Sequence, residues 1–218
     1  MILYSVVFCL LFIFIRVIYL LIVANRSNGS ASSKKRTAKA KTMIVLGSGG
    51  HTAEMLEIVR ELDIEKYAPR IYITAKTDTN SILRLVDTEI AKEPEKEKHN
   101  FEIVAIARSR EVKQSYLTAI FSTLHATLDC IPVLVRTRPD LILTNGPGTC
   151  VPVCLVAFWL KIFFFNTNCR IVYVESYCRV KTLSLSGKLL IWMSDLFVAQ
   201  WPDVAKCAKK IQYFGRLS

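Results

Sequence analysis

No two cysteines in this 218-residue sequence stand in a C-x-x-C arrangement. The seven present, Cys9, Cys130, Cys150, Cys154, Cys169, Cys178 and Cys207, are odd in number and lie mostly in apolar runs. This argues against a disulfide framework and for reduced, buried thiols in a cytosolic domain. Histidine is nearly as scarce. His51, His99 and His125 are the full set, and none falls at ligand spacing from a cysteine pair, so no metal is expected. No Gly-Lys-Ser or Gly-Lys-Thr occurs, which excludes a Walker A loop. Acidic residues are few, 18 against 29 Lys and Arg, for a formal charge of +11. No RNA- or DNA-binding motif accompanies that excess, so nucleic acid is not an expected partner. Anionic lipid or phosphorylated substrates suit it, as does a plain solvated basic surface.

Long apolar runs, in contrast, are plentiful. Hydrophobic residues make up 52% of the chain, and the mean hydropathy of +0.33 is high for a soluble domain so rich in charge. Residues 1–24 are largely apolar, with one charge, Arg16. A helix of that length reaches about 36 Å, enough to cross a bilayer. No basic segment precedes the apolar run and no clear small-x-small cleavage site follows it, so it reads as an uncleaved anchor. The flank holds Arg26, Lys34, Lys35, Arg36, Lys39 and Lys41. By the positive-inside rule that side is cytosolic. Residues 25–41, rich in Ser, Gly, Ala and Lys, read as a basic linker able to lie on anionic lipid.

Beyond the linker, short apolar runs alternate with helical patterns. Strands are expected at 43–46, 70–75, 101–106, 140–144, 170–174 and 196–198. Helices are expected at 52–62, 80–86, 115–136 with a kink near Pro132, 150–164 and 183–193. Residues 87–100, highly charged and holding Pro94, read as a surface loop. Strictly alternating strands and helices imply a parallel sheet covered on both faces, and right-handed crossovers make it a doubly wound, Rossmann-like α/β domain over residues 42–207. Residues 208–218 form a tail that is basic, then apolar. The stretch 151–165 is apolar all round but short for a span. It is either a buried core helix or one whose aromatic end touches the membrane.

In such a sheet the functional loops lie beyond the carboxyl ends of the strands. Four look chemical: 47–51, 108–113, 145–148 and 175–182. The first, Gly47-Ser48-Gly49-Gly50-His51-Thr52, follows a buried strand and opens a helix, which aims backbone N–H groups and a helix dipole at one spot. A phosphate or diphosphate is the natural guest; a simple tight turn is the alternative. A dinucleotide fingerprint fails in detail. Thr52 stands where a third glycine belongs, and Ile73-Thr74-Ala75-Lys76 lacks the ribose-holding acid. His51 sits at the helix N-terminus, where the dipole favours neutral imidazole, a base or a hydrogen-bond donor. A histidine that only caps or packs is the other reading. Glu175 ends the fifth strand beside Ser176, Tyr177 and Arg179 and is a second candidate base, or else an ion-pair partner of Arg179. Asn145-Gly146-Pro147-Gly148 lets backbone approach a ligand or another lobe closely, or is a strand-to-helix turn. Arg108 and Arg110 could pair with phosphate oxygens.

The run Gly47–Met55, with Asn145–Gly148 and Tyr173–Val180, resembles one family from Thr42 to the end of the chain. It is the membrane-anchor subunit of the endoplasmic-reticulum transferase that adds the second N-acetylglucosamine to dolichyl diphosphate. That group is similar to the bacterial enzyme that glycosylates the peptidoglycan lipid intermediate, which has the two-lobed GT-B fold. The resemblance implies that Gly47, Ser48, Gly49, Gly50 and His51 hold the acceptor diphosphate. It implies inverting transfer from UDP-N-acetylglucosamine, with His51 or Glu175 as base. Asn145, Gly146, Gly148 and Arg179 would form a substrate or interface loop. About 175 residues suffice for one Rossmann-like lobe, so a soluble partner is expected to supply the donor lobe and the nucleotide sugar. The chain alone would then be inactive, without a cofactor, and seated on the cytosolic face of the endoplasmic reticulum. Ile211, Tyr213, Phe214 and Leu217 of the tail would dock on that partner. The competing readings are a membrane-bound Rossmann oxidoreductase using a nicotinamide cofactor and a non-enzymatic membrane adaptor.

Overall fold

A computed structural model describes residues 2–26, 38–92, 100–111 and 114–217. Most of the basic linker, Pro94 with its neighbours, and residues 112 and 113 lie outside them. The elements in chain order are α1 (Ile2–Arg26), β1 (Thr42–Val45), α2 (Gly50–Glu61), β2 (Arg70–Ala75), α3 (Thr79–Lys92), β3 (Phe101–Ile106) and α4 (Tyr116–Thr137). There follow β4 (Leu141–Asn145), α5 (Cys150–Ile162), β5 (Arg170–Val174), α6 (Leu185–Leu190), β6 (Leu196–Ala199), α7 (Pro202–Ala205) and β7 (Ile211–Tyr213).

All seven strands lie in one parallel sheet of order β3-β2-β1-β4-β5-β6-β7. The order reverses between β1 and β4, which is the switch point where open α/β sheets bind ligands. Strand β1 is buried on both faces because its alternating side chains feed two cores. Met43 and Val45 join Ile142, Cys150, Val153, Cys154 and Tyr173 on one face. Ile44 and Leu46 join Met55, Leu56, Val59, Tyr72 and Leu85 on the other. The thiols of Cys130, Cys150, Cys154 and Cys169 are free and buried, and burial pushes that of Cys154 up to about 12.

Three elements depart from the expected pattern. Helix α3 runs to Lys92 rather than stopping at Val86, so the first part of the expected surface loop is helical. The cause is Glu89, wholly buried, whose carboxylate accepts from Arg70 Nε and Nη2 at 2.9 and 2.7 Å and from the Tyr72 hydroxyl. Helix α6 is shorter than expected. The Ser184 side chain accepts from Gly187 N and caps a helix that ends at Leu190. The tail is not separate from the lobe either. Ile211–Tyr213 forms a seventh strand on β6, with Phe197 opposite Ile211 and Ala199 opposite Tyr213.

Ile211 is therefore buried in the sheet, while Tyr213, Phe214 and Leu217 stay exposed. Among the described residues two helices are long and apolar enough to cross a bilayer, α1 and α4. Helix α4 buries Ala119, Ala126, Cys130 and Leu134 against the sheet side. Its outer face carries Leu117, Ile120, Phe121, Leu124 and Leu128, each more than half exposed.

Candidate functional site

The loop after β1 starts with buried Gly47 and continues through exposed Ser48, Gly49 and Gly50 into α2. Gly49 has φ 60° and ψ −118° and caps α2 without a side chain, a conformation open to glycine. The first-turn N–H groups of α2 are thus left to a guest. Thr52 fills the place of a third glycine because its hydroxyl has work there. It donates to the Gly47 carbonyl at 2.6 Å and meets Ser81 Oγ at 2.7 Å. Ser81 in turn is held by Asp78. The loop is braced from α3 rather than shaped for a dinucleotide.

The 145–148 loop interlocks with this one around His51. A Cβ on Gly146, which has φ 62°, would come within 2.7 Å of His51 Cε1 and 3.0 Å of Nδ1. A Cβ on Gly47 would meet both His51 Cβ and Pro147 Cβ at 2.7 Å. Asn145, fully buried, donates from Nδ2 to the His51 carbonyl at 2.8 Å. Burial lowers the His51 pKa below its ordinary value, the Arg179 charge lowers it further, and Glu54 works against both. His51 is accordingly a neutral imidazole at the cleft wall, and its Nδ1 is buried with no hydrogen-bond partner among the described residues.

The geometry gives a direct test of this interlock. Gly146→Ala places a methyl against the imidazole and an alanine in the left-handed region, at about 1–2 kcal/mol. Gly148→Ala, whose Cβ meets nothing nearer than 4.0 Å, should keep near-native stability. Comparing the melting temperatures of the two variants by circular dichroism of the full chain in detergent checks the arrangement.

Glu175 lies elsewhere than its position at the strand end suggested. It is 1% exposed, and its oxygens accept from Ser184 N at 2.9 Å, Ser184 Oγ at 3.1 Å and Ser176 N at 3.0 Å. Burial raises its pKa. No ion pair with Arg179 forms among the described residues. The carboxylate sits under the 176–184 loop and pins it, away from the cleft lining.

Glu54, one turn along α2 from His51, has a larger part than its place in the sequence announced. Its Oε1 accepts from Ser176 Oγ at 2.8 Å, and its Oε2 from Tyr177 N at 3.4 Å and Asn145 Nδ2 at 3.5 Å. It ties α2 to both neighbouring loops. The i,i+3 spacing from His51 on the polar face of α2 was the available signal.

These loops border a cleft of about 1020 Å³ at the carboxyl edge of the sheet. Gly47, Ser48, Gly50, His51, Gly146, Gly148 and Arg179 all line it. Arg108 enters from the loop after β3, donating to Ser48 Oγ at 3.1 Å, and Arg110 lies beside it. The lining also has an apolar part: Ile120, Val151, Leu185 and Leu189. Ile120 also belongs to the outer stripe of α4, so the apolar part runs out of the cleft onto that helix. The tail reaches the 176–184 loop, where the Arg216 guanidinium lies 4.4 Å over the Tyr177 ring.

A doubly wound parallel sheet with a glycine loop and cleft at its switch point defines a Rossmann-like lobe of the GT-B type. Solved structures agree on the fold. The crystal structure of Acinetobacter baumannii MurG matches with a TM-score of 0.56 at 16% identity, over 81% of this chain and 45% of that one. A UDP-N-acetylglucosamine 2-epimerase matches at 0.55 and 17%, over 80% and 46%. The chain spans under half the length of either.

The family model described as "Oligosaccharide biosynthesis protein Alg14 like" matches residues 42–217, and this chain belongs to that family. It is 45% identical over 178 residues to the UDP-N-acetylglucosamine transferase subunit ALG14 of Rattus norvegicus, covering 80% of this chain and 82% of the relative. The Homo sapiens protein of that name is 43% identical over the same shares. The one of Schizosaccharomyces pombe is 41% identical over 90% and 92%. The nicotinamide reading is not favoured by any of these, nor by the braced Thr52.

Proposed function

We propose that this chain is the membrane-anchoring, acceptor-binding subunit of a heteromeric UDP-N-acetylglucosamine transferase. The complex adds the second N-acetylglucosamine to dolichyl-diphosphate N-acetylglucosamine in N-glycan precursor synthesis, at the cytosolic face of the endoplasmic reticulum. The observation that carries this reading is the mixed cleft, cationic and N–H-rich at the glycine loop, apolar toward α4. A lipid-linked diphosphate has those two halves.

In this reading the first turn of α2 and Arg108, Arg110 and Arg179 meet the diphosphate. The apolar part of the lining and the α4 stripe meet the polyprenyl chain. The acceptor 4-hydroxyl attacks the anomeric carbon of the nucleotide sugar with inversion; the new C–O bond forms as the bond to UDP breaks. His51, neutral and facing the cleft, takes the hydroxyl proton. Glu175 supports the loop and is not needed as base. The donor nucleotide comes on a soluble partner lobe, docked at the exposed Tyr213, Phe214 and Leu217.

Two expectations test this. The purified full chain supplied with both substrates should show no sugar transfer until a soluble partner of one-lobe size is added; transfer by the chain alone would overturn the two-subunit reading. Phe214→Asp, which leaves β7 in place, should weaken partner binding by at least about tenfold, the size of an interface anchor. Unchanged affinity by titration would move the docking surface elsewhere.

A further inference from the structure

Helix α5 is a core helix over most of its length, with Val153, Cys154, Val156 and Ala157 nearly inaccessible. Its exit is different. Phe163, Phe164 and Phe165 follow in a turn and are 65%, 55% and 37% exposed. Phe164 has φ 60°, a backbone state that strains a bulky residue and persists only where the surroundings impose it. Three exposed aromatics in a row are costly in water and need a covering surface.

What stands beside them is the apolar N-terminal helix. The Phe12 and Phe164 rings stack at 6.2 Å. The Arg16 guanidinium lies 3.9 Å over the Phe164 ring, and its Nη2 donates to the Lys161 carbonyl at 3.2 Å. A cation at the carboxyl end of α5 is favoured by that helix's dipole. This fixes the height of the body along α1.

The groups facing α1 then sort by height. Ile162, Phe163 and Phe164 stand beside Phe8, Cys9, Phe12 and Ile13. Lys161, Thr167, Asn168, Arg170 and Asp195 stand beside Leu20, Val23 and Ala24. The change from apolar to polar falls between Arg16 and Leu20. From Ile2 to Leu20 a helix rises about 27 Å, close to the roughly 30 Å of a bilayer's hydrocarbon core. A boundary at Leu20 leaves the polar groups among headgroups and sets the level of Arg16 about 6 Å inside. That is the depth at which interfacial apolar faces are buried.

We propose that the Phe163-Phe164-Phe165 turn is a second membrane contact, inserted among the acyl chains beside α1 and held there by Arg16. The inference rests on α1 being a membrane anchor, as proposed above. Arg138, 4.2 Å over the Phe165 ring, supplies a cation of the kind found beside aromatics at membrane interfaces. The lobe is then seated on the bilayer at a fixed height.

The test uses the full chain in phosphatidylcholine vesicles and an added tryptophan. Phe163→Trp reports on the turn. Leu83→Trp, on the exposed face of α3, serves as the aqueous control. The emission added by Phe163→Trp should be quenched by at least about half in lipids brominated in mid-chain, and barely by acrylamide. Leu83→Trp should show the reverse. Adding Arg16→Ala to Phe163→Trp should return acrylamide quenching while the chain still resists carbonate extraction. If Phe163→Trp behaves like Leu83→Trp in a carbonate-resistant chain, the turn stays in water and this inference is overturned, with the anchor intact. If wild-type chain is extracted by carbonate, the anchor reading fails and takes this one with it.

Discussion

On the function proposed above, replacing His51 by alanine in the complex reconstituted with the proposed soluble partner lowers kcat by about 10²- to 10⁴-fold, the usual contribution of a positioned general base. The fold should survive, because the imidazole Nδ1 has no hydrogen-bond partner among the described residues to lose. The pH profile identifies the role. A base must be unprotonated, and burial with the Arg179 charge holds the His51 pKa below 6.5. The rate at limiting acceptor, kcat/KM, which reports the free enzyme, is therefore full at neutral pH and falls as acid titrates the group, with the acid limb below the ordinary histidine range. The same depressed value means that protonation favours the unfolded state. Stability from this group is present above the unfolded pKa and is lost as pH drops through the folded one.

The neighbours move that limb in opposite directions. Arg179→Ala removes a lowering charge and shifts the limb up. Glu54→Gln removes a raising charge and shifts it down. Glu175→Gln should leave it in place, since that carboxylate works under the loop. An acid limb indifferent to all three variants, with kcat intact in His51→Ala, would make the histidine a packing residue between Gly47 and Gly146.

The inner strands were legible because burial on both faces writes continuous apolar runs, and each of the six expected strands appears within a residue or two. Much of the cleft was legible too, since Gly47–His51, Asn145–Gly148 and Arg179 fall at the strand ends where doubly wound sheets work. Two kinds of information were not. One is side-chain direction. Glu175 occupies the functional edge, but only the fold reveals that Ser184 turns its carboxylate beneath the loop. The other is long-range pairing. Glu89 and Lys92 look like solvated residues of a charged loop. Glu89 instead meets Arg70 across 19 residues of chain, and Lys92 Nζ donates to the carbonyls at the end of α2. Strand β7 hid for a related reason. Three residues carry no period, and only the open edge of β6 makes a strand of them.

Breaking the buried Arg70–Glu89 pair from one side should cost the lobe heavily in stability. Arg70 and Glu89 are 2% and 0% exposed in their side chains, joined by two parallel hydrogen bonds, and the Tyr72 hydroxyl shares the carboxylate. Glu89→Ala leaves a guanidinium and a phenol stranded in the core, at about 3–5 kcal/mol. Against a total stability of roughly 5–15 kcal/mol, that is a large fraction. For a lobe of this size each kcal/mol moves Tm by about 2–4 °C, so Tm should drop by roughly 6–20 °C, read by circular dichroism of the full chain in detergent. Replacing both partners separates pairing from packing. Arg70→Met with Glu89→Leu removes both charges together, and well-packed apolar substitutes for a buried ion pair are often neutral or stabilising. The double variant should therefore recover most of the loss, and the interaction energy from the cycle should exceed 1 kcal/mol, within the range for residues in one network. If the single and double variants melt together, the pair contributes only volume. The extension of α3 to Lys92 would then rest on its apolar face alone.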